Sequence, residues 1–239
     1  MTSFPVRRSR FQVKENLARH YVVGKSPLIA HLLTALSATF PAGERFFIDS
    51  LRNVRDQVHD DELQKQISAF IGQEAHHGKE HQAFNEFMAR KGLPIAKIDQ
   101  FVKNAIAFEE KNLSKQRMLA KTCALEHFTA MFAEMILEHP EFLDGIDDRL
   151  KPLWLWHAIE ESEHKAVAYD VYQTTVGDYW TRASEMAFTT VLFSFFTGLH
   201  TVQLLKASGE QRNIKAIAKG LNKLIGRKGF FRGMLPHYL

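Results

Sequence analysis

Apolar side chains recur every three or four residues along most of the chain, and the strict alternation that marks strands is scarce. That periodicity predicts an all-α protein. The first stripe comprises Leu28, Ile29, Leu32, Leu33, Leu36, Phe40, Phe46 and Phe47, entered through Ser26-Pro27, a helix-start pair. Residues 1–26 ahead of it read as irregular and basic. Within the stripe, Pro41-Ala42-Gly43 predicts a kink or restart just before Glu44. A second helix is expected from Asp60 or Asp61, either a good N-cap, to about Arg90, with Gly92-Leu93-Pro94 as its stop. Residues 97–138 read as helix broken near Asn112-Leu113-Ser114 and ended by His139-Pro140. A further helix is expected from Pro152 to about Gly177.

The C-terminal third carries a different pattern. Residues 187–205 are nearly long and apolar enough to cross a bilayer, but their Thr and Ser residues, His200 and Gln203 make a poor span. The expectation is a buried fifth helix covering the bundle, with membrane insertion or association as the alternative. Ile214, Ile217, Ala218, Leu221, Leu224 and Ile225 then form an apolar stripe opposite Arg212, Lys215, Lys219 and Lys223. Such a helix can pack on the bundle or lie on an anionic membrane surface.

Charge sharpens that contrast. The net +4 conceals a tail from Lys206 onward with eight basic residues against Glu210 alone, leaving the rest slightly acidic at 23 basic to 26 acidic. No aromatic-rich basic motif of a nucleic-acid module accompanies the tail, so nucleic acid is not an expected partner. Cys123 is the one cysteine, which excludes an intrachain disulfide and suits a reducing cytoplasm. The stretch Met1 to Arg8 lacks the apolar core of a signal peptide, so a cytoplasmic protein is expected, with membrane association left open.

Candidate chemistry lies in polar residues on otherwise apolar helices. In Trp154-Leu155-Trp156-His157-Ala158-Ile159-Glu160-Glu161-Ser162-Glu163-His164-Lys165, His157, Glu161 and His164 fall at i, i+4 and i+7 and share one face. Glu74 and His77 make a Glu-x-x-His pair, repeated by Glu161 and His164. Glu126 shares a face with Leu119, Thr122, Cys123, Ala130, Ala133 and Leu137, and the two alanines would leave room for a substrate or dioxygen. Buried carboxylates and imidazoles at this density need a compensating charge, which a metal ion supplies. The expected ligands are Glu44, Glu74, His77, Glu126, His157, Glu161 and His164, with His81 and Glu160 standing behind them. His76 and His127 point elsewhere, and Glu163 is expected in solvent. Four carboxylates balance two divalent ions, so two iron ions are the expected cofactor, with manganese or zinc as alternatives.

One Glu, one Glu-x-x-His, one Glu and a second Glu-x-x-His, from four helices, resemble the ferritin-like di-iron carboxylate proteins. His157, in the order His-x3-Glu-x2-His, is similar to the seventh ligand of the p-aminobenzoate N-oxygenase group. Across almost its whole length the chain also resembles a bacterial family described as predicted metal-dependent hydrolases. The phrases that carry this are Pro5-Val6-Arg7-Arg8, Ser26-Pro27-Leu28, Phe40-Pro41-Ala42-Gly43-Glu44-Arg45-Phe46-Phe47, Gln73-Glu74-Ala75-His76-His77 and Glu160-Glu161-Ser162-Glu163-His164-Lys165. Longer relatives are expected to continue beyond Leu239. These resemblances imply a ferritin-like four-helix bundle over 27–177 with additional C-terminal helices over 187–239, in a single helical domain. They imply a di-iron enzyme that oxidises or oxygenates a small organic substrate with dioxygen, in which His157 suits oxygen transfer. The alternatives are a hydrolase using a metal-bridging hydroxide and a non-catalytic metal-binding or membrane-associated protein. Peripheral membrane contact and a homodimer are both compatible with the sequence.

Overall fold

A computed structural model describes residues 4–11 and 26–238, and every regular element among them is helical. Helix α1 (Pro27–Arg52) starts where Ser26 Oγ accepts the Ile29 amide and Pro27 fills the first turn. Helix α2 (Asp61–Arg90) starts on Asp60, whose carboxylate accepts the Leu63 amide. Helices α3 (Ile95–Asn112) and α4 (Lys115–Glu138) are parted at Leu113-Ser114, and Ser114 caps α4. After these come α5 (Lys151–His164), α6 (Val167–Thr175), α7 (Tyr179–Ser208), α8 (Ile214–Ile225) and α9 (Phe230–Tyr238). Residues 4–11 have no regular structure, as expected, while the expectation for 1–3 and 12–25 lies outside the described residues.

Three elements differ from the sequence reading. First, α1 runs unbroken through Pro41. Proline removes the amide that would have served the Ser37 carbonyl one turn earlier, which ordinarily weakens a helix. Here Asn85 Nδ2 on α2 donates to that carbonyl at 2.7 Å, so the helix continues to Glu44. Second, the helix expected to reach Gly177 is two helices. Lys165 and Ala166 between them keep right-handed backbone angles (φ −50°, ψ −23° and φ −94°, ψ −17°), so the break distorts the path without reversing it.

Third, the stretch 187–205 within α7 is covered on one side only. Helix α7 packs on α4 and α1 through Thr189, His200, Thr201, Leu204 and Leu205. Phe188, Val191, Phe195, Leu199 and Val202 are exposed on its other side. Helix α8 lies across the start of α1, an approach set by Gly220, where a Cβ would come within 2.9 Å of Leu28 Cβ.

The apolar interior is divided, and the division places the site. One cluster gathers Leu28 to Ala38 of α1, Phe84 to Met88 of α2, Met131 to Ile136 of α4 and Leu153 to Ala158 of α5. The other gathers Phe46 to Leu51 of α1, Leu63 to Phe70 of α2, Met118 to Cys123 of α4 and Val167 to Tyr172 of α6. On each helix the seam between clusters falls at the polar residues: Glu44, Glu74 with His77, Glu126, and Glu161 with His164. A belt of buried ionisable groups is therefore held between two apolar cores.

Candidate metal centre

All seven expected ligands converge in that belt, and each is at most 5% exposed. Glu44 comes from α1, Glu74 and His77 from α2, Glu126 from α4, and His157, Glu161 and His164 from α5. Donor atoms of Glu44, His77 and His157 lie within 4.8 Å of one another, and so do those of Glu74, Glu161 and His164. Two carboxylates reach both groups. Glu161 Oε1 is 2.9 Å from His157 Nε2 and 3.5 Å from His77 Nδ1, while its Oε2 is 3.4 Å from His164 Nε2. Glu74 Oε1 is 3.5 Å from His77 Nδ1 and 3.2 Å from His164 Nε2. Glu126 closes the second group, with Oε2 3.5 Å from His164 Nε2.

Hydrogen bonds outside the cluster fix which nitrogen of each imidazole faces inward. His77 Nε2 donates to Glu160 Oε2 at 3.1 Å, which leaves Nδ1 bare toward the carboxylates. Gln73 Nε2 donates to Glu163 Oε2 and to the Pro5 carbonyl, so Gln73 Oε1 must accept from His164 Nδ1 at 3.0 Å, and His164 Nε2 is bare.

The third imidazole is set by a longer chain that begins at Pro41. Because Asn85 Nδ2 donates to the freed Ser37 carbonyl, Asn85 Oδ1 accepts the Ser37 hydroxyl at 2.9 Å. Ser37 Oγ then accepts from His81 Nδ1 at 2.8 Å, and His81 Nε2 accepts from His157 Nδ1 at 2.8 Å. His157 Nε2 is left bare toward Glu161. Three lone pairs and four carboxylates thus face one another.

That arrangement fits cations and little else. Both oxygens of Glu44, Glu74 and Glu126, Glu161 Oε2, His77 Nδ1 and His164 Nε2 are buried and make no hydrogen bond. Burial, then Glu74, pushes the Glu44 carboxyl well above the usual carboxylate range; burial, then Glu161 and Glu74, does the same to Glu126. Glu74 is raised by burial as well. Burial opposes charge on Glu161, yet the adjacent imidazoles, His164 first and then His157 and His77, hold it well below that range. Burial likewise works against a proton on His77, but Glu160, Glu161 and Glu74 prevail and raise it. Burial and His77 press His157 down to about 4, so it is a neutral donor. An ionised carboxylate left unpaired in such a place costs several kcal/mol. Metal ions held by the group of Glu44, His77 and His157 and the group of Glu74, Glu161 and His164 would take up lone pairs left bare here and offset the negative charge.

Several residues that hold the centre escaped the sequence reading. Arg7 donates two 2.6 Å hydrogen bonds to Glu163, and both its guanidinium, at 3.5 Å, and its backbone amide, at 3.3 Å, donate to Glu160 Oε1. Glu163 is thus anchored, its side chain only 24% exposed, where solvent was expected. Phe4 packs edge-on to His164 and Phe11 against Trp156, so residues 4–11 form a strap over the centre. Gln73 links strap to ligand. Gly78, the residue after His77, leaves room for Glu44: a Cβ there would sit 3.0 Å from Glu44 Oε2. Glu160 is fully buried behind His77, and His81 behind His157.

The centre borders a cavity of about 620 Å³ enclosed by α1, α4, α5, α7, α8 and α9. Among the described residues, His157 and Glu161 are the only histidine and carboxylate in its wall, and no Lys or Arg lines it. Of the two alanines expected to leave space, Ala133 borders the cavity and Ala130 does not.

Among the comparisons with known proteins, one family model matches, described as predicted metal-dependent hydrolase, over residues 5–239. Neither a curated protein nor a solved structure matches the chain.

Proposed function

We propose, from the premise that this chain belongs to the family of predicted metal-dependent hydrolases, that it is a dinuclear carboxylate enzyme. In this reading two iron ions are held by Glu44, Glu74, His77, Glu126, His157, Glu161 and His164, and dioxygen oxidises or oxygenates a small organic substrate. When bound, two ferrous ions supply two of the four electrons that reduce dioxygen, the substrate supplying the other two. The ferritin-like likeness of the ligand order belongs to the same reading.

The observation that carries it is the wall beside His157 and Glu161. Hydrolysis of a phosphate or other anionic ester calls for cationic or amide groups that take up charge on the substrate. This cavity presents apolar side chains and a few hydroxyls instead, which suits dioxygen and an apolar substrate.

The chain's own groups have definite tasks. Glu74 and Glu161 each reach both donor groups and would hold ions bound there together. Glu160, Gln73 and His81 hold the protons of His77, His164 and His157 on their outer nitrogens, so the inner ones stay free to bind. Phe40 and Trp154, packed on His157 and His81, keep water from that side.

The test is to load the protein anaerobically with ferrous iron, add dioxygen, and follow oxygen uptake and visible absorption together. Uptake that disappears in Glu161→Ala supports the reading. The family's description favours a second reading, metal-assisted hydrolysis. That one wins if the ferrous protein is inert to oxygen while the metal-loaded protein cleaves a generic ester and loses this in Glu126→Ala.

On location, we read the protein as a cytoplasmic one that touches an anionic membrane through α8. There Ile214, Leu221 and Ile225 are exposed between the seam at Gly220 and Leu224 and the basic stripe of Lys215, Lys219 and Lys223.

A further inference from the structure

We infer that the cavity beside the centre is the binding site for a single long aliphatic chain whose reactive end is delivered to His157 and Glu161. This names the substrate class of the proposed enzyme and so rests on that reading.

Four observations lead there. Its volume, about 620 Å³, is that of a ligand site rather than a packing defect. On α1 the wall is the row Leu28, Leu32, Leu36 and Phe40, each four residues from the last. At 1.5 Å per residue that row runs for about 18 Å. An extended hydrocarbon of roughly fourteen carbons, advancing about 1.25 Å per carbon at ordinary C–C geometry, has that length.

The two ends of the cavity differ. Val202, Leu221 and Leu235 line it and are also 45%, 43% and 62% exposed, so it opens to the surface between α7, α8 and α9. Its other end is the buried pair His157 and Glu161. An anionic headgroup could not rest along the walls, because none of the described residues there is a Lys or Arg that would replace its hydration. A short substrate would leave most of the apolar wall without contact. An aliphatic chain entering from the open end satisfies both constraints, with its functional group meeting the centre.

Chain binding can be measured without turnover. The full chain, loaded with zinc and kept under nitrogen, is mixed with N-phenyl-1-naphthylamine as an apolar fluorescent probe. The probe is then displaced by octanol, decanol, dodecanol and tetradecanol. Affinity should rise about fourfold for each added methylene and level off near the longest of these alcohols. Gly198→Trp and Ala133→Leu each narrow the cavity: both positions line it, and a Cβ at Gly198 meets no other heavy atom within 4 Å. Either variant, with wild-type helical circular dichroism, should move the levelling-off to shorter chains.

Failure of every alcohol to displace the probe would overturn the inference, as would an affinity independent of chain length. So would folded Gly198→Trp and Ala133→Leu proteins with the wild-type profile, or a rigid polycyclic alcohol binding more tightly than any chain. Because no oxygen chemistry is involved, chain-length dependence with an oxygen-inert ferrous protein would sink the functional reading and leave this one standing. Oxygen uptake without chain binding would do the reverse.

Discussion

His81 Nε2 accepts the Nδ1 proton of His157 across 2.8 Å, so a residue that faces no carboxylate decides which lone pair its neighbour offers. His81→Leu should therefore weaken metal binding about 10- to 100-fold, whereas Ser37→Thr, which keeps the hydroxyl, should stay close to wild type. Chelator competition with zinc measures both, and wild-type affinity in His81→Leu would show that His157 needs no such partner.

A carboxylate that reaches both donor groups should matter more than one confined to a single group. Glu161→Ala is expected to abolish binding of both ions, because its oxygens face His157 and His164 separately. Glu44→Ala should retain about one, since Glu44 belongs to the group of His77 and His157 alone. Elemental analysis of the purified variants decides. Equal loss from both would mean that the two groups do not act as separate sites.

Gly78→Ala tests the room left for Glu44. Alanine favours a helix interior over glycine by about 1 kcal/mol, so the metal-free protein should melt no lower than wild type. Its new Cβ would press on Glu44 Oε2, and metal affinity should fall even so. A variant with wild-type affinity would show that the carboxylate can shift at no cost.

A pH effect should come from His31, wholly buried on α1 with Nε2 2.9 Å from Ser208 Oγ on α7. Burial lowers its pKa from 6.5 to about 4. Between those values the unfolded chain binds a proton that the folded one refuses, so stability falls as pH drops through that window and the effect is complete below it. The loss amounts to about 3 kcal/mol. Denaturant unfolding at pH 7 and pH 4 should show a smaller difference in His31→Gln than in wild type; equal differences would remove His31 as the cause.

For the membrane reading, vesicles containing phosphatidylglycerol should co-sediment the protein at low salt and release it at high salt, while neutral vesicles should not bind it. Binding should weaken in Lys215→Glu with Lys219→Glu. Sedimentation showing a stable dimer that leaves vesicles unbound would assign the exposed face of α8 to a second copy instead.

Much of this was legible in the sequence where a residue's role depends on its own helix. Ser26 and Asp60 announce helix starts because capping is local, and Ser114, the cap of α4, falls in the expected break. Spacing brought His157, Glu161 and His164 to one face for the same reason. What stayed hidden depends on partners distant in sequence. Pro41 signals a break until Asn85, on another helix, takes the freed carbonyl. Gln73 and Arg7 stand in phrases that carry the family resemblance, yet nothing local shows their part, which is defined only by what lies across the bundle. Lys165-Ala166 contains neither glycine nor proline, so nothing local marks the end of α5. The exposed side of α7 reads like a core stripe because apolar spacing records a preference for leaving water without naming the apolar phase.

The strap has a consequence in time. Arg7 must find Glu160, 153 residues later in the chain. At a synthesis rate of about 5–20 residues per second, the segment made first waits roughly 8–30 seconds before its seat exists. For nearly all of that interval only Glu44, Glu74, His77 and Glu126 of the seven ligands have been made, so α5 brings the last three ligands and the seat of the strap together, and the centre and its cover can form in one step.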